Sequence, residues 1–169
     1  MIALPPEMAW NLPHVLENHM YLSIFPDIEI KEITMSALKE SFGRCTVNQK
    51  FLDRFYDIFL ASHPDIKPMF EKTDFSKQKA LLRSGISMMI MYEDGTQVAK
   101  MALDRLGHSH GKQGMNIAPK MYQYWIDSLV AAVKECDPQF SPALEKHWRD
   151  AMRRGINYMI SAGQVETAA

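Results

Sequence analysis

Leu103, Leu106 and His110 recur at helical spacing, and past Gly111 and Gly114 the same pattern resumes with Tyr122, Trp125, Ile126 and Leu129. The stripe puts an imidazole on the inward side of a helix. There His110 can be a buried histidine satisfied by a neighbouring carbonyl, or a metal ligand. His108 is two residues away, so at most one of the two histidines faces the interior.

Helical spacing organises the flanking segments as well. Thr34 or Ser36 can cap a helix over about Met35–Cys45, with Leu38 and Phe42 as its inward pair. Asn48 starts a helix to about Ser62, in which Phe51, Phe55, Ile58, Phe59 and Ser62 share a stripe with Tyr56 beside it. His63-Pro64 ends that helix, and one further turn returns Met69-Phe70 to the core. Asp74–Met91 and Thr96–His110 follow as helices, the second with Val98, Met101, Ala102, Arg105 and Leu106 around its stripe. Pro119–Lys134 and Pro142–Ala162 complete the series, the last with Leu144, Trp148, Met152, Ile156 and Met159 along one side. His147 is expected at the surface or a helix end.

A chain of 169 residues with 47% apolar content suits one compact domain over residues 31–165. A formal charge of -1, with cations scattered among acids, offers no field for DNA or RNA. Cys45 and Cys136 lack CxxC spacing and read as reduced thiols, and the 13 methionines read as adaptable core packing. No apolar run approaches the ~20 residues that span a bilayer, so a cytoplasmic location is expected. Residues 1–30 are broken by prolines yet too apolar for a solvated tail. They are read as an extension with a helix over His14–Leu22, docked on the domain or on a second copy in a homodimer, and residues 166–169 as a disordered tail.

In order and separation, three motifs resemble the globin family, in particular bacterial single-domain globins and the globin domains of flavohaemoglobins, with a weaker likeness to sensor globins in the leading segment. They are FLDRFYDIFLASHPDIKPMF (Phe51–Phe70), His110 followed by Gly114-Met115, and the aromatic-rich helix from Tyr122. The likeness runs from about Met35 to Ala162 and implies an all-α, globin-like fold of about seven helices with an extra N-terminal helical segment. It implies haem b ligated by His110 Nε2, with Leu106 under the porphyrin, Phe70 packed flat against it, Met115 or Ile117 at its edge, and Tyr122 among the residues that hold the cofactor. The Tyr56 hydroxyl would then lie over the iron as a donor to a diatomic ligand.

Two registers remain open for the helix after Phe70. Aligning Gln78 with the family's distal glutamine puts Leu82 beside the iron but turns Lys79 and Arg83 inward. Sliding by one gives Lys77 that place and puts Leu81, Leu82, Gly85, Met88 and Met89 on the buried stripe, which avoids burying cations. Gln78 still lies next to the pocket in that register. In flavohaemoglobins a glutamate on the last helix helps polarise the proximal histidine, whereas no glutamate occurs between Trp148 and Gln164. That weakens the expectation of peroxidase-like or NO-dioxygenase chemistry. The function expected is reversible binding of O₂, NO or CO as a carrier or sensor. The alternatives are a haem enzyme served by an external reductase and a haem-free signalling module. A sensor would need a separate signalling partner.

Overall fold

The structure is a computed structural model that describes residues 26–164, with side-chain surroundings from residue 33 onward. The expected helix over His14–Leu22 and the tail over 166–169 lie outside the described residues. The chain divides into two units, Met1–Thr34 and Met35–Ala169. Among the described residues there are seven helices and no strands: α1 (Pro26–Val47), α2 (Phe51–Ala61), α3 (Ile66–Met69), α4 (Phe75–Glu93), α5 (Gln97–His110), α6 (Met121–Cys136) and α7 (Pro142–Ala162). None is long and apolar enough to cross a membrane.

Local chemistry sets the boundaries. Helix α1 begins earlier than the expected Met35, at Pro26, because a proline in the first turn gives up an N–H that has no helical partner. Asp74 caps α4 by accepting from the backbone N–H groups of Ser76 and Lys77 at 3.0 and 3.3 Å. Ser141 caps α7 through Leu144 N–H at 3.2 Å, with Pro142 in the first turn. Between α2 and α4, the single turn of α3 buries Ile66 and brings Phe70 back onto Tyr56 and Phe59, edge to face at 6.0 and 5.9 Å.

The core lies where α2 packs on α6 and α5 on α7, with α4 against both α5 and α7. Leu144, Trp148, Met152, Ile156 and Met159 are all buried on α7, as expected. Trp148 is fully enclosed; its indole N–H donates to Ser41 at 3.0 Å, which ties α7 to α1. Arg44 on α1 holds the buried Asp137 carboxylate through two hydrogen bonds of 2.6 and 2.9 Å. Burial opposes ionisation of Asp137, but the bonds from Arg44 and Ser41 outweigh it and keep the carboxyl below its usual range. Cys45 is buried and Cys136 half-buried, both as free thiols. His147, expected at the surface or a helix end, is half-buried in the second turn of α7, and its Nδ1 has no hydrogen-bond partner among the described residues.

The stripe on α5 differs from expectation. Val98 and Met101 are exposed, and the buried positions are Ala99, Leu103 and Gly107. The cause is close packing against the end of α7. A Cβ on Gly107 would collide with the Met159 carbonyl, and one on Gly163 with the Gly107 carbonyl. Small residues therefore hold positions that hydrophobicity alone assigns to larger neighbours.

Candidate functional site

Helices α2, α4, α5, α6 and α7 enclose a cavity of about 640 Å³, within the range of about 300–1,000 Å³ common for cofactor sites. Of the residues expected at a site, Tyr56, Phe70, Gln78, Leu81, Leu82, Leu106, His110, Met115, Ile117 and Tyr122 all line it. Lys77 does not. Its side chain is 84% exposed and pairs with Asp74 at 3.6 Å, one turn back.

The two registers of α4 are separated by what happens to the cations. Gln78 and Leu82 face the cavity, yet Lys79 is not stranded there, because its ammonium pairs with Asp53 on α2. Arg83 stays exposed. The burial cost that disfavoured this register is thus avoided by an ion pair with a neighbouring helix and by solvent. Leu81, expected on the buried stripe, is 67% exposed at the cavity rim, whereas Ile86 and Ile90 are the buried residues that stripe omitted. A Cβ added to Gly85 would have no atom within 4 Å, so this residue leaves open space in the cavity wall.

His110 is half-buried at the end of α5. Its Nδ1 lies 3.0 Å from the Leu106 carbonyl and must donate to it, which leaves Nε2 as the nitrogen with a free lone pair. The Ser109 hydroxyl also donates to Leu106, at 2.9 Å, and sits 3.0 Å from Nδ1. Burial holds the imidazole below its ordinary pKa, with the Leu106 bond opposing that shift, so the ring is neutral at pH 7. The loop after α5 folds back on the helix end. Met115 N–H donates to Ser109 at 2.8 Å and Ile117 N–H to the His110 carbonyl at 2.9 Å, which fixes the histidine backbone and carries Met115 and Ile117 to the cavity. His108 is exposed on the other side of the helix.

Tyr56 is 5% exposed, with the Phe55 and Phe75 rings edge-on at 5.0 and 5.2 Å. Burial pushes its phenol up to about 12, opposed by the Gln78 side chain, which lies close enough to favour the ionised form. Burial alone raises the Tyr122 phenol. The cavity therefore brings together a neutral imidazole with one fixed nitrogen, a protonated phenol and a primary amide, in walls that are otherwise largely apolar. Met69, Leu81 and Met115, large apolar side chains that are about half or more exposed, sit on its lining and give the cavity an apolar rim open to solvent.

Reading the sequence for a site missed Arg105, Ser109, Met121 and Trp125, which also line the cavity. Arg105 was assigned to the helix stripe; its exposure at the cavity suits it to a carboxylate at the rim. The i, i+3 and i, i+4 steps from Leu106 to Ser109 and His110 were the signal available for Ser109.

Comparison with known proteins bears on the family and the fold. The Globin family model matches residues 53–159. The chain is 27% identical over 110 residues to a flavohemoprotein of Bacillus cereus (strain ATCC 10987 / NRS 248), a stretch that is 64% of this chain and 25% of that protein. The chain thus corresponds to about a quarter of that relative's length. A crystal structure from Pseudomonas aeruginosa PAO1, described as structurally highly homologous to a human haemoglobin, superposes with a TM-score of 0.74 at 38% identity, covering 78% of this chain and 99% of that one. With its helices, cavity and sequence in agreement, the chain belongs to the globin family.

Proposed function

We propose that this globin holds haem b in the cavity, with His110 Nε2 as the axial ligand, and binds a diatomic gas reversibly, O₂ first. The observation that carries the reading is the His110 ring, whose Nδ1 is committed to Leu106 while the ring lines a cavity shared with Tyr56 and Gln78. The fit is good on the chain's own terms: a flat apolar macrocycle would cover Met69, Leu81 and Met115, pack against Phe70 and Leu106, and place a carboxylate within reach of Arg105. Bound ferrous haem supplies the coordination position at which O₂, NO or CO binds. Tyr56 contributes a hydroxyl that stays protonated across the physiological range and, with Gln78, donates to the gas from a largely apolar wall. His110 is held in one tautomer by Leu106 and needs no proton transfer to act as ligand.

The test is the absorption spectrum of the purified protein, reduced and then exposed to air, for the parent and for His110→Ala. An intense Soret band that is lost or weakened in the variant, with an oxygenated spectrum lasting minutes, supports the reading. Absence of haem uptake overturns it in favour of a haem-free helical module. The likeness to one quarter of a flavohemoprotein favours a second reading, NO dioxygenation with electrons from a separate reductase. Rapid NO consumption that depends on an added reductase would establish it.

A further inference from the structure

Six of the residues that line the cavity are methionines, and they divide by exposure. Met89 on α4 and Met159 on α7 are buried, whereas Met69 at the end of α3 and Met115 in the loop after α5 are 49% and 58% exposed at the rim. Packing of the core, the role expected of methionine from the sequence, does not account for two side chains placed there. Met101 on α5 is a third exposed methionine among the described residues, at 51%, and it lies outside the lining. We propose that Met69 and Met115 are sites of reversible oxidation, at which hydrogen peroxide turns an apolar rim into a polar one and loosens the cavity's hold on haem; this rests on the haem reading.

The step uses only the thioether and peroxide. A sulfur lone pair attacks one peroxide oxygen, an S–O bond forms as the O–O bond breaks, and the proton on the attacked oxygen passes to the departing hydroxide, which leaves as water. Sulfur loses two electrons and peroxide gains them. Peroxide must reach the sulfur, which exposure allows at Met69 and Met115 and burial denies at Met89 and Met159. The product is a polar, chiral sulfoxide, which is better solvated by water than by an apolar neighbour.

Both positions sit where such a change acts on the site. Met69 precedes Phe70, whose ring meets those of Tyr56 and Phe59 at 6.0 and 5.9 Å. The Met115 N–H donates to the Ser109 carbonyl at 2.8 Å, in the loop whose Ile117 N–H holds the His110 carbonyl at 2.9 Å. A sulfoxide drawn toward water at either place removes apolar contact from the mouth and pulls on the segment that carries Phe70 or anchors His110. Met101 matches their exposure without lining the cavity, so its oxidation leaves the site alone. A thiol-dependent reductase reverses the change: two thiols become a disulfide, the sulfoxide oxygen leaves as water, and the thioether returns.

The experiment treats the haem-loaded ferrous protein, its iron blocked by CO, with hydrogen peroxide, which catalase then removes. Peptide mass spectrometry locates each added oxygen, and after oxidation of the iron to the ferric state, transfer to a scavenging apoprotein gives the rate of haem loss. The expected result is sulfoxide at Met69, Met115 and Met101 but not at Met89 or Met159. Haem loss should be faster by about tenfold, the scale of one polar group left in an apolar contact. The double variant Met69→Leu, Met115→Leu, which conserves volume, should keep the Soret band and abolish the acceleration, whereas Met101→Leu should retain it. Methionine sulfoxide reductases acting on both epimers should reverse it. Rim methionines that stay unoxidised overturn the proposal, as does an unchanged rate after their oxidation, or an acceleration that survives in the double variant. All three leave the haem reading standing. A parent without a Soret band overturns the haem reading, and this inference with it.

Discussion

The Ser109 hydroxyl lies 3.0 Å from Nδ1 of His110, and the two groups converge on one acceptor, the Leu106 carbonyl, at 2.9 and 3.0 Å. The ring is therefore held by a carbonyl one turn back and flanked by a hydroxyl beside it. Ser109→Ala removes one hydrogen bond of about 1 kcal/mol and should leave the ring freer to turn. The expected outcome is haem loss faster by about fivefold, the kinetic equivalent of that energy, with helicity unchanged. Haem transfer to a scavenging apoprotein measures it, and an unaltered rate would show that Leu106 suffices.

The glycines that bring the end of α5 against the end of α7 make a second prediction. Gly163→Ala would drive a Cβ into the backbone carbonyl of Gly107, which cannot move as a flexible side chain can. Such overpacking costs about 1–3 kcal/mol. Gly43, on an exposed turn of α1, would meet nothing within 4 Å, so Gly43→Ala should stabilise the protein by about 0.5–1 kcal/mol through helix propensity. Thermal unfolding of the two variants side by side should move the midpoint in opposite directions, and only Gly163→Ala should also weaken haem retention, since Gly111, the residue after His110, lies at that contact.

Much of this architecture is legible in the residues. The 3.6-residue period on α7 identifies its buried face because that helix packs large side chains, with Trp148 at the centre. On α5 the same reasoning selects Val98 and Met101 and fails, because the close contact there needs Ala99 and Gly107, residues whose smallness is the signal. The choice between Lys77 and Gln78 is not decidable from α4 alone. Asp53, which receives Lys79, lies on another helix, and a one-dimensional pattern does not show partners 26 residues away. Arg105 is likewise ambiguous, since a long side chain on a helix flank can reach a cavity or solvent.

The pH dependence of stability follows from the His110 environment. Burial is the larger influence and lowers the imidazole below its ordinary 6.5, while the Leu106 bond opposes it. Between that ordinary value and the lower folded one, the unfolded chain binds the extra proton. Stability is therefore fully present above about pH 6.5 and falls as pH drops through the window. Haem-free His110→Leu should lose this slope and keep the separate decline at lower pH, where the carboxylates of Asp127, Asp137 and Asp150, held below their usual range in the folded state, take up protons. Denaturant midpoints of parent and variant at pH 7.5, 6 and 5 check this. Parallel curves would place the titrating group elsewhere.

Tyr56 offers the most direct test of the proposed gas-binding site. Its phenol is pushed up to about 12, so the hydroxyl remains a proton donor from acid to mildly alkaline conditions, and Gln78 beside it can hold or reinforce that donation. Replacing tyrosine by phenylalanine keeps the ring packed against Phe55, Phe70 and Phe75 and removes one oxygen. A net hydrogen bond of about 0.5–1.5 kcal/mol corresponds to about two- to tenfold in a rate. O₂ should therefore leave Tyr56→Phe faster by that factor, whereas CO, a much poorer hydrogen-bond acceptor, should leave at nearly the parent rate. In the parent the O₂ dissociation rate should be flat through about pH 9, as the raised phenol value requires. Stopped-flow displacement of O₂ by CO supplies the O₂ dissociation rate, and displacement of CO by NO supplies that of CO. If O₂ and CO dissociation rise together, Tyr56 acts through packing; if neither changes, Gln78 carries the hydrogen bond, and Gln78→Leu becomes the variant in which O₂ alone is released faster.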